Sequence, residues 1–178
     1  ESVFPKNYYD ISEQDKFEVL SNIKGTLNPD DFENEITRLT NESIQTIKVI
    51  QGNNGELGAN RYIISNNENA LNVMETFALI RLSDWENPTV DVVPLFESVD
   101  DLLNAHNVME QLYPNPVYAN HLVNREMKQT IMLGFSDGTK DGGYLMANWS
   151  IYKAKEELTA ISRKYGIKVI FFDGRGGP

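Results

Sequence analysis

Residues 128–143 read Lys-Gln-Thr-Ile-Met-Leu-Gly-Phe-Ser-Asp-Gly-Thr-Lys-Asp-Gly-Gly. An apolar run over 130–133 passes without a break into a polar, glycine-rich stretch. Short apolar runs that end at turn residues mark strands buried on both faces. The pattern recurs at 62–64, 90–96 and 167–172. Each run ends at or just before a polar residue: Ser65, Glu97, Asp137 and Asp173, at near-regular intervals.

Helical signals fill the gaps. They cover 68–82, then a helix capped by Ser98 across Leu102, Leu103 and Met109, then a short helix over 118–124. A long helix follows the polar loop at 134–143, with Tyr144, Ala147, Ile151, Ala154, Leu158 and Ile161 on its apolar stripe and Gly166 as its terminal glycine. Strands alternating with helices form right-handed crossovers and a parallel sheet. The four polar residues then lie on one edge, at the strands' C-terminal ends, where parallel α/β folds place their chemistry. Four such units are half of an eight-stranded barrel, and the pattern alone leaves an open doubly wound sheet as the alternative.

Residues 1–60 read as a helical segment that packs on the barrel units of 61–178. Ser12, followed by Glu13, Gln14 and Asp15, opens one helix, and Asn28-Pro29 is a second start signal. Phe32, Ile36 and Leu39, then Ile44, Ile47 and Ile50, keep helical spacing, with a break expected near Asn41 and a loop over 51–55.

With 40% hydrophobic and 24% charged residues, the chain is neither disordered nor membrane-spanning by composition. A net charge of −10 and the lack of any basic face argue against nucleic-acid binding. Cysteine is absent, which excludes disulfides, thiolate ligands and a cysteine nucleophile, and fits a cytoplasmic address. No signal peptide is visible, and a start at Glu1 is expected of an internal piece of a longer chain.

Glu97, after so apolar a run, is either a helix-start residue or a ligand. Asp137 and Lys140 lie in a loop whose glycines let backbone N–H groups approach an anion, although the glycine order is not that of a P-loop. Arg175 stands between Gly174 and Gly176, which leaves its guanidinium open for bidentate binding of phosphate or carboxylate. His106 and His121 lack ligand spacing and read as structural or surface histidines. Trp85 and Trp149 read as packing residues, and Asp100-Asp101 as a helix start.

Three of these stretches, taken in order, resemble successive motifs of the phosphoenolpyruvate carboxylase family: residues 92–97, 132–141 and 171–177. Residues 62–65 resemble the strand before them, and the helical start resembles the segment before that. The resemblance implies an eight-stranded α/β barrel embedded in further helices, in a cytoplasmic lyase that is a homotetramer. It implies the joining of phosphoenolpyruvate and bicarbonate into oxaloacetate and phosphate, through carboxyphosphate and a metal-stabilised enolate, with Mg2+ or Mn2+. This is an anaplerotic, carbon-dioxide-fixing step. By motif position Glu97 and Asp137 are the metal ligands, Lys140 lies on the bicarbonate side, and Arg175 holds the substrate phosphate.

The sequence departs from the family pattern at Asp173, where the family usually has histidine. A carboxylate there pairs with Arg175 or another cation, or sits near the metal. The family's upstream histidine motif, further arginines and later glycine-rich stretch are not in this chain, so the isolated polypeptide is expected to be inactive. An open half barrel is also expected to self-associate. Two other readings remain: a different metal-dependent barrel enzyme acting on an enolpyruvate phosphate, and a non-catalytic acidic binding module on the same fold.

Overall fold

The computed structural model describes residues 3–174, with the side chains of 136–138 and 141 outside that description. The elements are α1 (Glu13–Asn22), α2 (Glu35–Asn54), β1 (Arg61–Ile64), α3 (Ala70–Leu82), β2 (Asp91–Phe96), α4 (Val99–Leu112), α5 (Pro116–Asn124), β3 (Lys128–Gly134), α6 (Ser136–Lys164) and β4 (Lys168–Gly174). Short 3-10 turns occur at Pro29–Asp31 and Glu56–Gly58. Among the described residues no helix is long and apolar enough to cross a membrane.

The strands form one sheet in the order β1-β2-β3-β4. Each new strand is added beside the last, with none of the order reversal that creates a crevice in doubly wound sheets. The architecture is α/β, with consecutive parallel strands as in part of a barrel. β2 pairs with β3 through Leu95–Met132 and Phe96–Leu133, past Pro94, whose nitrogen cannot donate. β3 pairs with β4 along its whole length, from Lys128–Lys168 to Gly134–Gly174.

The chain divides into two compact units. One comprises residues up to Arg61 together with Met74–Val90, and the other comprises Tyr62–Val73 and everything from Asp91 on. In the first, Leu20, Ile23, Ile44, Phe77, Ile80 and Leu82 form the core. α2 runs unbroken through Asn41, contrary to the break expected there, and stays helical to Asn54. The Asn41 amide is buried and donates to the Ser83 hydroxyl at 3.1 Å, so tertiary structure supplies a partner that helix propensity does not count. Gly55, at φ 82°, stops the helix.

In the second unit Val92, Val93, Leu95, Phe96, Ile131 and Leu133 are buried, as expected of strands covered on both faces. Helix α4 starts where the sequence places it. The Ser98 side chain accepts from the Asp101 N–H at 3.0 Å, and the Asp101 carboxylate accepts from the Ser98 N–H at 3.0 Å, a complete capping box. The Tyr113 and Ser162 hydroxyls meet at 3.0 Å between α4 and α6, and the His106 Nδ1 lies 3.0 Å from the Glu157 carboxylate.

The strands' N-terminal end carries stabilising polar contacts. Arg125, at the end of α5, meets Asp91 at 2.6 Å with both side chains largely buried. Tyr118 donates to Gln129, whose amide donates to the Val92 and Thr130 carbonyls at 3.1 and 2.8 Å. His121 is buried against Tyr118, and burial, helped by the Arg125 charge, lowers its pKa to about 4.

The polar loop at 134–143 departs from expectation, since it is already helical from Ser136. α6 begins with a separate short turn and is broken at Gly143, at φ 78° and ψ 168°, a conformation open to glycine. Beyond the break Ala147, Ile151, Ala154 and Leu158 are buried as expected, but Tyr144 is 68% exposed. Trp149, read as a packing residue, is also exposed and stacks on Tyr152 at 5.7 Å. Leu145 and Met146 extend this apolar face, and β4 lies at the edge of the sheet.

Three predictions follow from this packing. Replacing Arg125 with Met leaves Asp91 buried and uncompensated and should cost about 3 kcal/mol in urea unfolding. The unfolded His121 imidazole, with a pKa of 6.5, binds a proton more readily than the folded one at about 4. Its contribution is therefore whole above pH 6.5 and is lost progressively as pH falls towards 4. His121→Gln should flatten the loss of thermal stability between about pH 6.5 and 5. Residues 1–178 expressed alone should self-associate through the exposed face of α6 and the β4 edge, as read by light scattering.

Candidate active-site rim

The parallel register sets the strand ends level. Phe96 is paired with Leu133, and Leu133 with Asp173. One residue further on stand Glu97, Gly134 and Gly174, the last two themselves paired. The residues that the sequence marks at the ends of β2, β3 and β4 therefore emerge from one edge of the sheet.

Glu97 follows the last residue of β2 and precedes the Ser98 cap of α4. It is half-buried and forms no ion pair or side-chain hydrogen bond among the described residues. A carboxylate in that setting is a strong acceptor left available to a cation. The backbone of β3 closes on it. A Cβ on Gly134 would lie 3.1 Å from the Glu97 Cα, 3.3 Å from its Cγ and 3.3 Å from the Phe96 carbonyl oxygen. A side chain at 134 would crowd the Glu97 backbone, so glycine fits this position best.

The end of the short segment that opens α6, just ahead of the Gly143 break, adjoins the start of α4. A Cβ on Gly142 would lie 3.2 Å from a Val99 methyl and 2.9 Å from the Met146 Cγ. The start of α4 thus lies against the segment that precedes the Gly143 break. Asp137 belongs by backbone to the first turn of α6, and its side chain is outside the described residues. Lys140 is exposed on that same short segment, ahead of the Gly143 break. Arg175 directly follows β4 and lies outside the described residues.

Among the described residues no group of three or more His, Cys, Asp or Glu could hold a metal. A magnesium-like cation does not require one, because it keeps several waters and binds through one or two carboxylates plus substrate oxygens. Glu97 offers one such carboxylate at this edge.

Two features of this edge go beyond the sequence reading, which expects a cation beside Asp173 but does not identify it. The Asp173 carboxylate is engaged by Lys155 of α6, with Nζ at 2.7 Å from one oxygen and 2.9 Å from the other. Asp173 is therefore held by a cation from the preceding helix. Asn67, just past β1, is 1% exposed, and neither atom of its amide has a partner among the described residues. Asn66, at φ 53°, turns the chain there. A cluster of polar residues after a strand reads as an ordinary loop, and burial is what distinguishes Asn67.

A parallel α/β segment with polar residues gathered on its strand-end edge has the layout of barrel enzymes, which place their active sites there. Comparison with known proteins narrows the class. A family model described as phosphoenolpyruvate carboxylase matches residues 2–178. The chain is 36% identical over 179 residues to the phosphoenolpyruvate carboxylase of Gloeobacter violaceus, covering 96% of this chain and 19% of that protein. It is 32% identical over 182 residues to the phosphoenolpyruvate carboxylase of Nitrosomonas europaea, covering 97% of this chain and 20% of that protein. The chain belongs to the phosphoenolpyruvate carboxylase family, and it spans about a fifth of the length of these curated relatives.

Gly134→Ala should force β2 and β3 apart at Glu97 and cost about 1–3 kcal/mol of stability in denaturant unfolding. An unchanged midpoint would show that the two strand ends are not in close contact.

Proposed function

We propose that this chain is a segment of a cytoplasmic phosphoenolpyruvate carboxylase. In the full polypeptide, a homotetramer, it would contribute the edge that binds Mg2+ or Mn2+, phosphoenolpyruvate and bicarbonate. The reading is carried by Glu97: a half-buried carboxylate without a cation partner among the described residues, at a strand end whose neighbour has no side chain. Glu97 and Asp137 would hold the metal. When bound, a divalent ion supplies Lewis-acid stabilisation of negative charge on the substrate oxygens.

The chain's own residues do the rest. Gly134 leaves space beside the Glu97 carboxylate for a cation and its waters. Lys140 offers a cation to bicarbonate. Arg175 would take the phosphoryl group in a bidentate grip and neutralise it as bicarbonate oxygen attacks phosphorus. Carboxyphosphate then releases carbon dioxide beside the enolate, and the apolar strand residues beneath the edge help exclude water. Asp173, engaged by Lys155, is not free to act as a base.

The test uses the full-length protein that carries this segment. It should form oxaloacetate only when bicarbonate and a divalent metal are both present. Glu97→Gln should lower that rate by at least about 100-fold. Residues 1–178 alone should form none. Turnover of phosphoenolpyruvate without bicarbonate dependence would instead identify a different enolpyruvate-phosphate enzyme. Absence of any turnover would favour the binding-module reading.

A further inference from the structure

We propose that Lys155 is a positioning and charge-compensating residue of the anion-binding edge, acting through Asp173. The inference rests on the proposed function and extends it to a residue outside the sequence motifs. Asp173 is the residue before Gly174-Arg175, and its backbone is level with the ends of β2 and β3. An unpaired carboxylate there would place a negative charge beside the path of a phosphate ester and of bicarbonate, at an edge that already carries Glu97 and Asp137. The chain as a whole has a net charge of −10, so it offers no general attraction for anions.

Lys155 removes that penalty. Its ammonium contacts both carboxylate oxygens, at 2.7 and 2.9 Å, from a helix position that lies over β4. The same ammonium stands 5.7 Å from the Phe171 ring centroid, so a cation–π contact also restrains it. Engaging both oxygens cancels the charge of Asp173 and fixes the strand end from which Gly174 and Arg175 continue. The backbone there has little slack. Phe135 N–H donates to the Gly174 carbonyl at 3.3 Å, and a Cβ on Gly174 would lie 3.3 Å from the Leu133 carbonyl oxygen. The pair is about one-third exposed, so its role is electrostatic and local, with little weight in overall stability.

The experiment is done in the full-length protein. Lys155→Gln should raise KM for phosphoenolpyruvate roughly 3- to 10-fold and leave kcat within about 2-fold, since one uncompensated charge acts at partly screened range. The increase should shrink at high ionic strength, which a merely structural defect would not do. Lys155→Arg should keep the wild-type KM. Adding Asp173→Asn to Lys155→Gln should bring KM back towards wild type by removing the charge that Lys155 balances. The dissociation constant for phosphoenolpyruvate, from titration calorimetry, reads the same effect without turnover. A wild-type protein that binds phosphoenolpyruvate but makes no oxaloacetate would overturn the carboxylase assignment, and the Kd ratio would still decide on Lys155. A wild-type protein that neither binds nor turns it over overturns both. An unaltered KM and Kd in Lys155→Gln, a salt-independent defect, or a double variant as impaired as Lys155→Gln each overturns the proposal.

Discussion

The register of three parallel strands is the constraint on which the rest depends. Because Phe96, Leu133 and Asp173 are level, the residues just beyond them share one edge of the sheet. A slip of one position would turn each strand's side chains to the opposite face. It would also move Glu97 away from the glycine that gives it room. Packing supports the register, with β2 and β3 buried on both faces, and so does the Arg125–Asp91 pair at the other end of the strands. Stability contacts gather at the N-terminal end and the available polar groups at the C-terminal end, the division of labour usual in parallel α/β folds.

Much of this is legible in the sequence where the signal is local. Ser98 and Asp101 sit at the spacing of a capping box, and the capping box is formed. The four apolar runs become four strands, but only β2 and β3 are buried on both faces, as such runs predict; β1 and β4 keep exposed positions. Gly166, at φ 69°, ends α6 as its position after a long apolar stripe requires.

What escapes the sequence is set by partners distant along the chain. Asn41 looks like a helix breaker until Ser83 accepts its amide hydrogen. Tyr144 begins the apolar stripe and Trp149 reads as a packing residue, but the stripe is buried only from Ala147 on, and both aromatic rings are exposed. Lys155 and Asp173 are 18 residues apart across a helix-to-strand turn. A helix rises about 1.5 Å per residue and a strand about 3.3 Å, so facing positions lie at unequal distances from the turn and no fixed spacing reveals them. The buried Asn67 amide is likewise invisible until the loop around it is folded.

The central claim is that carboxylates from two successive strand ends serve one divalent cation. A crystal structure of the full-length protein grown with Mn2+, with data collected at the manganese absorption edge, tests it directly. The account predicts an anomalous peak about 2.0–2.3 Å from carboxylate oxygens of both Glu97 and Asp137, with waters completing the shell. A peak bound by other residues, or a Glu97 carboxylate turned away from the edge that carries Asp137, would contradict it.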